Sequence, residues 1–343
     1  MERYIAVDSV CAWPNLTLLP GGEIVATIFN QPCHGLWTGD VECWVSADEG
    51  RAWSRRGVPA PHDPSTNRMN VAAGLARNGD LLVLASGWSN RPEKGQAQRS
   101  FEDSAVLPCR ICRSKDGGRT WTQAETVAIP PDTGPLIPFG KIICLPDRSL
   151  GVSMYSERKV NGMRLSESWF CRSLDDGQSW GLPVLIGSGL NETDLLCPDG
   201  ARLLAAARTR REGRLDLRVS EDLGRTWTLQ EPLTGAGEHP AHLLQLRNGS
   251  TLLTYGIRHR GFLGIGARLS EDAGRSWYTP WAIVNLDDAC DGGYPASVEV
   301  GDGTLVTAYY ASGVGAHARY HMGVARWTIK ELAARNQPKP QTF

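Results

Sequence analysis

One octapeptide occurs five times in the chain, as 46-SADEGRAW-53, 114-SKDGGRTW-121, 173-SLDDGQSW-180, 220-SEDLGRTW-227 and 270-SEDAGRSW-277. The shared form is S-x-D-x-G-x-[S/T]-W, and only the first copy departs from it, with Ala52 at the Ser/Thr place. Successive tryptophans stand 68, 59, 47 and 50 residues apart. Each part has a physical reason. An Asp side chain can fold back to accept backbone N–H bonds within a turn. Gly supplies the positive φ of a tight turn, and the Trp ring is expected to bury between neighbouring sheets.

A second repeat has six copies: 12-AWPNLTLLPGGEIVATIFN-30, 69-MNVAAGLARNGDLLVLASG-87, 138-PFGKIICLPDRSLGVSMYS-156, 191-NETDLLCPDGARLLAAAR-208, 239-HPAHLLQLRNGSTLLTYGIR-258 and 294-YPASVEVGDGTLVTAYY-310. Each reads as a polar or aromatic opening, a strand, a turn and another strand. The third copy lacks the turn Gly. The first five are each followed by a third strand and the octapeptide, whereas the sixth runs into 319-RYHMGVARWTI-329 without one. A repeat of about 50 residues holding four strands implies a β-propeller blade. The expected fold is therefore all-β, a six-bladed β-propeller forming a single domain over residues 1–332, with a tail at 333–343. The sixth blade is expected to take its outer strand from 3-RYIAVD-8, which closes the ring. Only 328-TIKELAAR-335 looks helical.

The 343 residues carry 36 Lys+Arg and 37 Asp+Glu. That balance gives no electrostatic case for nucleic acid or an anionic membrane as partner. No apolar run reaches the roughly 18–20 residues of a bilayer span. The N-terminus shows no basic segment followed by an apolar one, so a cytoplasmic setting is expected. Nine Cys is an odd number, and a reduced compartment accommodates them simply. Cys109 and Cys112 form a lone C-x-x-C, expected on opposite faces of a strand, without the second pair of a zinc site. No metal or cofactor is implied.

In a propeller the first strand of each blade starts near the axis. The opening residues Trp13, Asn70, Phe139, Glu192, His239 and Tyr294 should therefore face one mouth of the tunnel. The ends of the second strands, including Asn30, Trp88, Arg208, Arg258 and Tyr310, return to the same face. A carboxylate, a tyrosine, a histidine and two arginines, distant in sequence, should converge there. Each also has a plainer reading. Tyr294 can cap a core strand, Glu192 can be a turn residue, and Arg208 can be solvated with its neighbours in 207-ARTRREGR-214. Arg260 can face inward in place of Arg258, and His239 and His242 can be hydrogen-bonded structural histidines.

The octapeptide is the sequence known as the Asp-box, and the chain resembles sialidases and other Asp-box propellers. The boxes themselves specify fold more than function. The resemblance extends to single positions. The sixth copy, with its D-G-T turn, is similar to the last sialidase blade, which makes Tyr294 the match of the catalytic Tyr. The fourth, with its N-E pair, D-G turn and terminal Arg, gives Glu192 as the partner of the Tyr and Arg208 as a carboxylate-binding Arg. Arg258 stands 12 residues before Ser270, as the fifth-blade Arg does. Two departures matter. The Arg-Ile-Pro motif of sialidases is here Ala12-Trp13-Pro14, so its Arg is absent. The acid/base Asp expected about 25 residues later falls on Trp37, within 33-CHGLWTGDVECW-44. His34 or Asp40 can replace it, and the loop leaves both open.

The resemblance implies a retaining exo-glycosidase for a terminal acidic sugar, with a glycan as partner. Tyr294 would be the nucleophile, Glu192 its base, Arg208 and Arg258 an anion clamp, and Trp13, Asn70 and Trp37 further substrate contacts. A neutral phenol avoids the repulsion that a carboxylate nucleophile would meet at an anomeric carbon bearing its own carboxylate. The alternatives are a lyase or hydrolase for uronate-containing glycans, with Tyr294 or His239 as base, and a glycan-binding propeller without activity.

Overall fold

The computed structural model describes every residue except 92–103, 126, 130, 132, 287, 288, 290, 302, 316 and 332–343. The expected tail at 333–343 lies outside the described residues. Of 328-TIKELAAR-335, one helical turn begins at Ile329. The Thr328 hydroxyl accepts from the Glu331 N–H, and the Glu331 carboxylate accepts from the Thr328 N–H, a capping box.

The short Val-, Ile- and Leu-rich runs form antiparallel meanders. β1 (Glu2–Asp8) opens the chain. The first meander is β2 (Ala12–Leu18), β3 (Ile24–Phe29), β4 (Val41–Ser46) and β5 (Ser54–Ala60). The second holds β6 (Asn70–Leu75) and β7 (Leu81–Ser86), a ribbon of β8 (Trp88–Ser89) and β9 (Ala105–Val106), then β10 (Arg110–Ser114) and β11 (Thr122–Ala124). The third is β12 (Ile137–Cys144), β13 (Leu150–Val160), β14 (Met163–Ser173) and β15 (Gly181–Ser188). The fourth is β16 (Leu190–Leu196), β17 (Leu203–Thr209), β18 (Leu215–Ser220) and β19 (Thr228–Pro232). The fifth is β20 (Glu238–Gln245), β21 (Thr251–His259), β22 (Phe262–Ser270) and β23 (Trp281–Asn285). The last is β24 (Asp291–Val300), β25 (Thr304–Ser312) and β26 (His321–Trp327), and β1 pairs antiparallel with β26 as its fourth strand, Tyr4 opposite Val324.

The first strands touch in chain order, β2 against β6, then β12, β16, β20 and β24, and β24 returns to β2. Between β6 and β12 the approach is close enough for parallel pairing, Gly140 opposite Ala72 and Lys141 opposite Ala73, so the second and third meanders share one eight-stranded sheet. The core lies between meanders. Ile28 and Phe29 pack with Val306 and Tyr310, Leu82 and Leu84 with Val152 and Met154, and Leu217 and Val219 with Leu243 and Leu253. Covered on both faces, β3 and β7 are buried at every residue, which is why they read as unbroken apolar runs.

One charged pair sits inside this ring. Asp194 on β16 is fully buried and accepts from the Lys141 ammonium, from the Lys141 N–H at 3.1 Å and from the Leu243 N–H at 2.6 Å. Lys141 also donates to the Leu243 carbonyl at 2.5 Å. The pair thus ties β12, β16 and β20 together.

Each octapeptide joins the last two strands of its meander. The Ser hydroxyl accepts from the Gly N–H four residues on, at 2.7–2.8 Å in all five copies. The Asp carboxylate accepts from the N–H four residues on, at 2.8–2.9 Å. The residue before the Gly also has positive φ: Glu49, Gly117, Asp176, Leu223 and Ala273 lie between 57° and 69°. The expected burial of the Trp rings holds fully for Trp180 alone; Trp53, Trp121, Trp227 and Trp277 are half-buried. In the third copy of the longer repeat, Arg148 takes the positive φ of the missing Gly, at 71°.

Cys109 and Cys112 pack into different core clusters. The described cysteines are free thiols.

Candidate active site

Five of the first strands begin with a break in register. The pairing shifts between Ala12 and Asn15, Phe139 and Ile143, Leu190 and Thr193, Glu238 and Ala241, and Gly293 and Ala296. In β6 it stays regular, with Asn70 opposite Ser86. A bulge takes a residue out of the alternation and re-aims its side chain. Trp13, Glu192, His239 and Tyr294 each lie within one. Trp13 and Tyr294 also have positive φ, 42° and 51°, a region that bulky residues enter rarely. All six first strands line one cavity, to which Trp13, Asn70, Phe139, Glu192 and Tyr294 contribute.

At its centre the Tyr294 hydroxyl donates to Glu192 Oε1 at 2.5 Å. Arg208 Nη1 holds Glu192 Oε2 at 2.6 Å and lies 3.4 Å from the phenol oxygen. Burial alone would raise the Glu192 pKa. The Arg208 charge and the bonds from Tyr294 and Arg208 outweigh it, and the pKa lies below the ordinary carboxylate value. Burial and the Glu192 charge push the Tyr294 pKa well up. The pair is therefore a neutral phenol hydrogen-bonded to an ionised carboxylate.

Arg258 sets its guanidinium 5.5 Å from the centre of the Tyr294 ring, a cation–π contact. Its Nη2 donates to the Tyr310 hydroxyl at 2.9 Å, and its Nη1 is 3.8 Å from Asp291. Asp291 collects further donors: Tyr310 at 2.9 Å, Tyr320 at 3.0 Å and His34 Nε2 at 3.1 Å. Against the opposing effect of burial, the bond from His34 and the charge of Arg258 pull its pKa down to about 2. The site thus holds two guanidinium groups and two carboxylates.

Trp13, beside Ala12 where the resemblance expects an arginine, makes one wall aromatic. Its ring lies 4.5 Å from His34, 6.1 Å from Tyr294 and 6.1 Å from Tyr310. Asn70 reaches the cavity, and its buried Oδ1 has no protein partner among the described residues.

Three expected positions differ. Asp40 is turned to a neighbouring loop, where its Oδ1 binds His62 Nδ1 at 2.6 Å and the His62 N–H at 2.8 Å. Trp37 is half-buried and, like Arg208, Arg258 and His34, is not among the residues that line the cavity itself. His239 is buried against Gly213 rather than lining the cavity. Burial, with Arg208 and Arg258 near it, pulls the His239 pKa down to about 4 and keeps the ring neutral. Asp291 and Tyr320 are the residues that sequence reasoning missed as members of the site. The available signal was the 291-DGG-293 run just ahead of Tyr294. Among the described residues no three His, Cys, Asp or Glu side chains gather as a metal-ligand set.

Residues 22–307 match the model of the BNR repeat-like domain. The chain belongs to the BNR repeat-like family. Within it, the chain is a divergent, sialidase-like member. It is 24% identical over 238 residues to a sialidase of Clostridium perfringens, a match covering 65% of this chain and 61% of that protein. The chain thus spans about three fifths of that relative's length. Two solved structures share the all-β fold. A protein of unknown function from Dyadobacter fermentans superposes with a TM-score of 0.80 at 20% identity, covering 95% of this chain and 97% of that one. A Hadza microbial sialidase gives 0.74 at 19% identity, covering 94% and 66%.

Proposed function

We propose that this BNR repeat-like protein is a single six-bladed β-propeller and a glycoside hydrolase that releases a terminal acidic sugar, sialic acid or a close relative. Six meanders with first strands in mutual contact support the blade count. The observation that carries the activity is the 2.5 Å bond between Tyr294 and Glu192, on bulges that turn both side chains into the cavity.

In this reading the phenol oxygen attacks the anomeric carbon while Glu192 takes its proton. The neutral phenol approaches a carbon bearing a carboxylate without charge repulsion. Arg258, and the part of Arg208 that does not hold Glu192, meet that carboxylate through charge-assisted hydrogen bonds. Water then releases the sugar from Tyr294 with retained configuration.

The test is time-resolved product analysis with sialosides and with uronate oligosaccharides, for the native protein and for Tyr294→Phe. A free reducing sugar of retained configuration, lost in the variant, supports the hydrolase. An ultraviolet-absorbing unsaturated sugar makes the protein a lyase, and binding without turnover makes it a lectin-like propeller.

A further inference from the structure

The proposed reaction needs a proton at the departing oxygen, and neither Ala12, Trp13 nor Trp37 can supply one. We infer that His34, held by Asp291, is the general acid and base of this site. The inference rests on the proposed hydrolase reading and adds the residue that completes it.

Four observations carry it. His34 stands on the connection that leaves β3, and its ring packs on two residues that also flank Tyr294: Trp13 at 4.5 Å and Tyr310 at 5.9 Å. Its Nε2 is engaged by Asp291 at 3.1 Å, which fixes the ring and leaves Nδ1 without a partner among the described residues. Its side chain is 42% exposed, as a group serving an aglycone outside the cavity must be. Asp40, the other candidate, has its carboxylate engaged by the ring and the backbone of His62.

The chemistry balances. As the Tyr294 oxygen bonds to the anomeric carbon, the carbon–oxygen bond to the aglycone breaks. The phenolic proton passes to Glu192. The proton on His34 Nδ1 passes to the departing oxygen, which leaves as a neutral alcohol. Neutral His34 then takes a proton from water as that water displaces Tyr294, and Glu192 returns its proton to the phenol. Asp291 acts through His34 and is a positioning residue, orienting the ring by its Nε2 hydrogen.

The experiment compares kcat/KM on two α-sialosides, one with a methyl and one with a para-nitrophenyl aglycone. The nitrophenolate needs no proton to leave, so it is the internal reference. His34→Ala should lose about 10²–10⁴-fold on the methyl glycoside and about tenfold or less on the nitrophenyl one. Asp40→Asn should leave that ratio as in the native protein. Equal losses on both substrates in His34→Ala, or the selective loss appearing in Asp40→Asn, overturn the assignment. Tyr294→Phe separates the two levels: if it keeps native rates on both substrates, the hydrolase reading falls and this inference with it. Far-ultraviolet circular dichroism checks that each variant is folded.

Discussion

Tyr294 and Glu192 are 102 residues apart in the chain, and their side chains meet at 2.5 Å. Arg208 grips the far oxygen of the same carboxylate at 2.6 Å. This arrangement gives Arg208 a duty beyond the substrate binding proposed for it: it keeps Glu192 ionised in a buried place.

The first prediction follows from that duty. The folded Glu192 pKa lies below the ordinary carboxylate value. Its carboxylate is present above that lowered value and is lost as pH falls through it. Arg208→Met removes the principal stabilising charge while burial remains, so the pKa rises. The acid limb of the kcat/KM profile should move to higher pH in the variant. An unmoved limb means that Glu192 is not the titrating base.

In the proposed reaction Arg258 meets the substrate carboxylate; in the structure Asp291 lies 3.8 Å from its guanidinium and Tyr310 is bonded to it. Arg258→Leu should weaken recognition of an acidic sugar by about 1.5–3 kcal/mol, the range for hydrogen bonds to charged groups. The methyl ester of the same substrate lacks the charge and should lose little. KM values for the two forms in both proteins check this.

Lys141 and Asp194 tie three first strands together from within. Lys141→Met leaves a carboxylate buried without its cation and should destabilise the fold by about 3–5 kcal/mol. Adding Asp194→Leu to that variant should recover part of the loss, because the uncompensated charge is gone. Urea denaturation of the single and double variants measures both.

Gly224 in the fourth octapeptide has φ 87°, and a Cβ there would stand 2.3 Å from the Phe170 ring. Gly224→Ala therefore combines backbone strain with overpacking and should cost at least about 1–3 kcal/mol. The turn at Gly79, φ 88° with open space around it, should suffer less from the same change. Thermal unfolding compares them.

The repeats made much of this architecture legible. The octapeptide marks turns because its Ser, Asp and Gly satisfy one another locally, with no need of distant partners. The opening positions of the long repeat marked Tyr294, Glu192 and Trp13 because equal places in equal meanders share a mouth. Local pattern did not carry Asp291: its partners Tyr310, Tyr320 and His34 come from three other stretches of chain. The choice between His34 and Asp40 was illegible for a related reason. Both ride one connection, and tertiary contacts separate them, Trp13, Tyr310 and Asp291 for His34 and His62 for Asp40. The bulges were hidden as well, since they arise from pairing register. Arg148 shows that a left-handed turn does not require Gly.

The central claim is tested most directly by trapping the sugar on the protein. A sialosyl fluoride with a second fluorine beside the anomeric centre slows breakdown of a covalent intermediate more than its formation. Mass spectrometry of the digested protein should find one sugar on the peptide that contains Tyr294, and none in Tyr294→Phe. A sugar on another side chain, or turnover of natural sialosides without any adduct, would contradict the account.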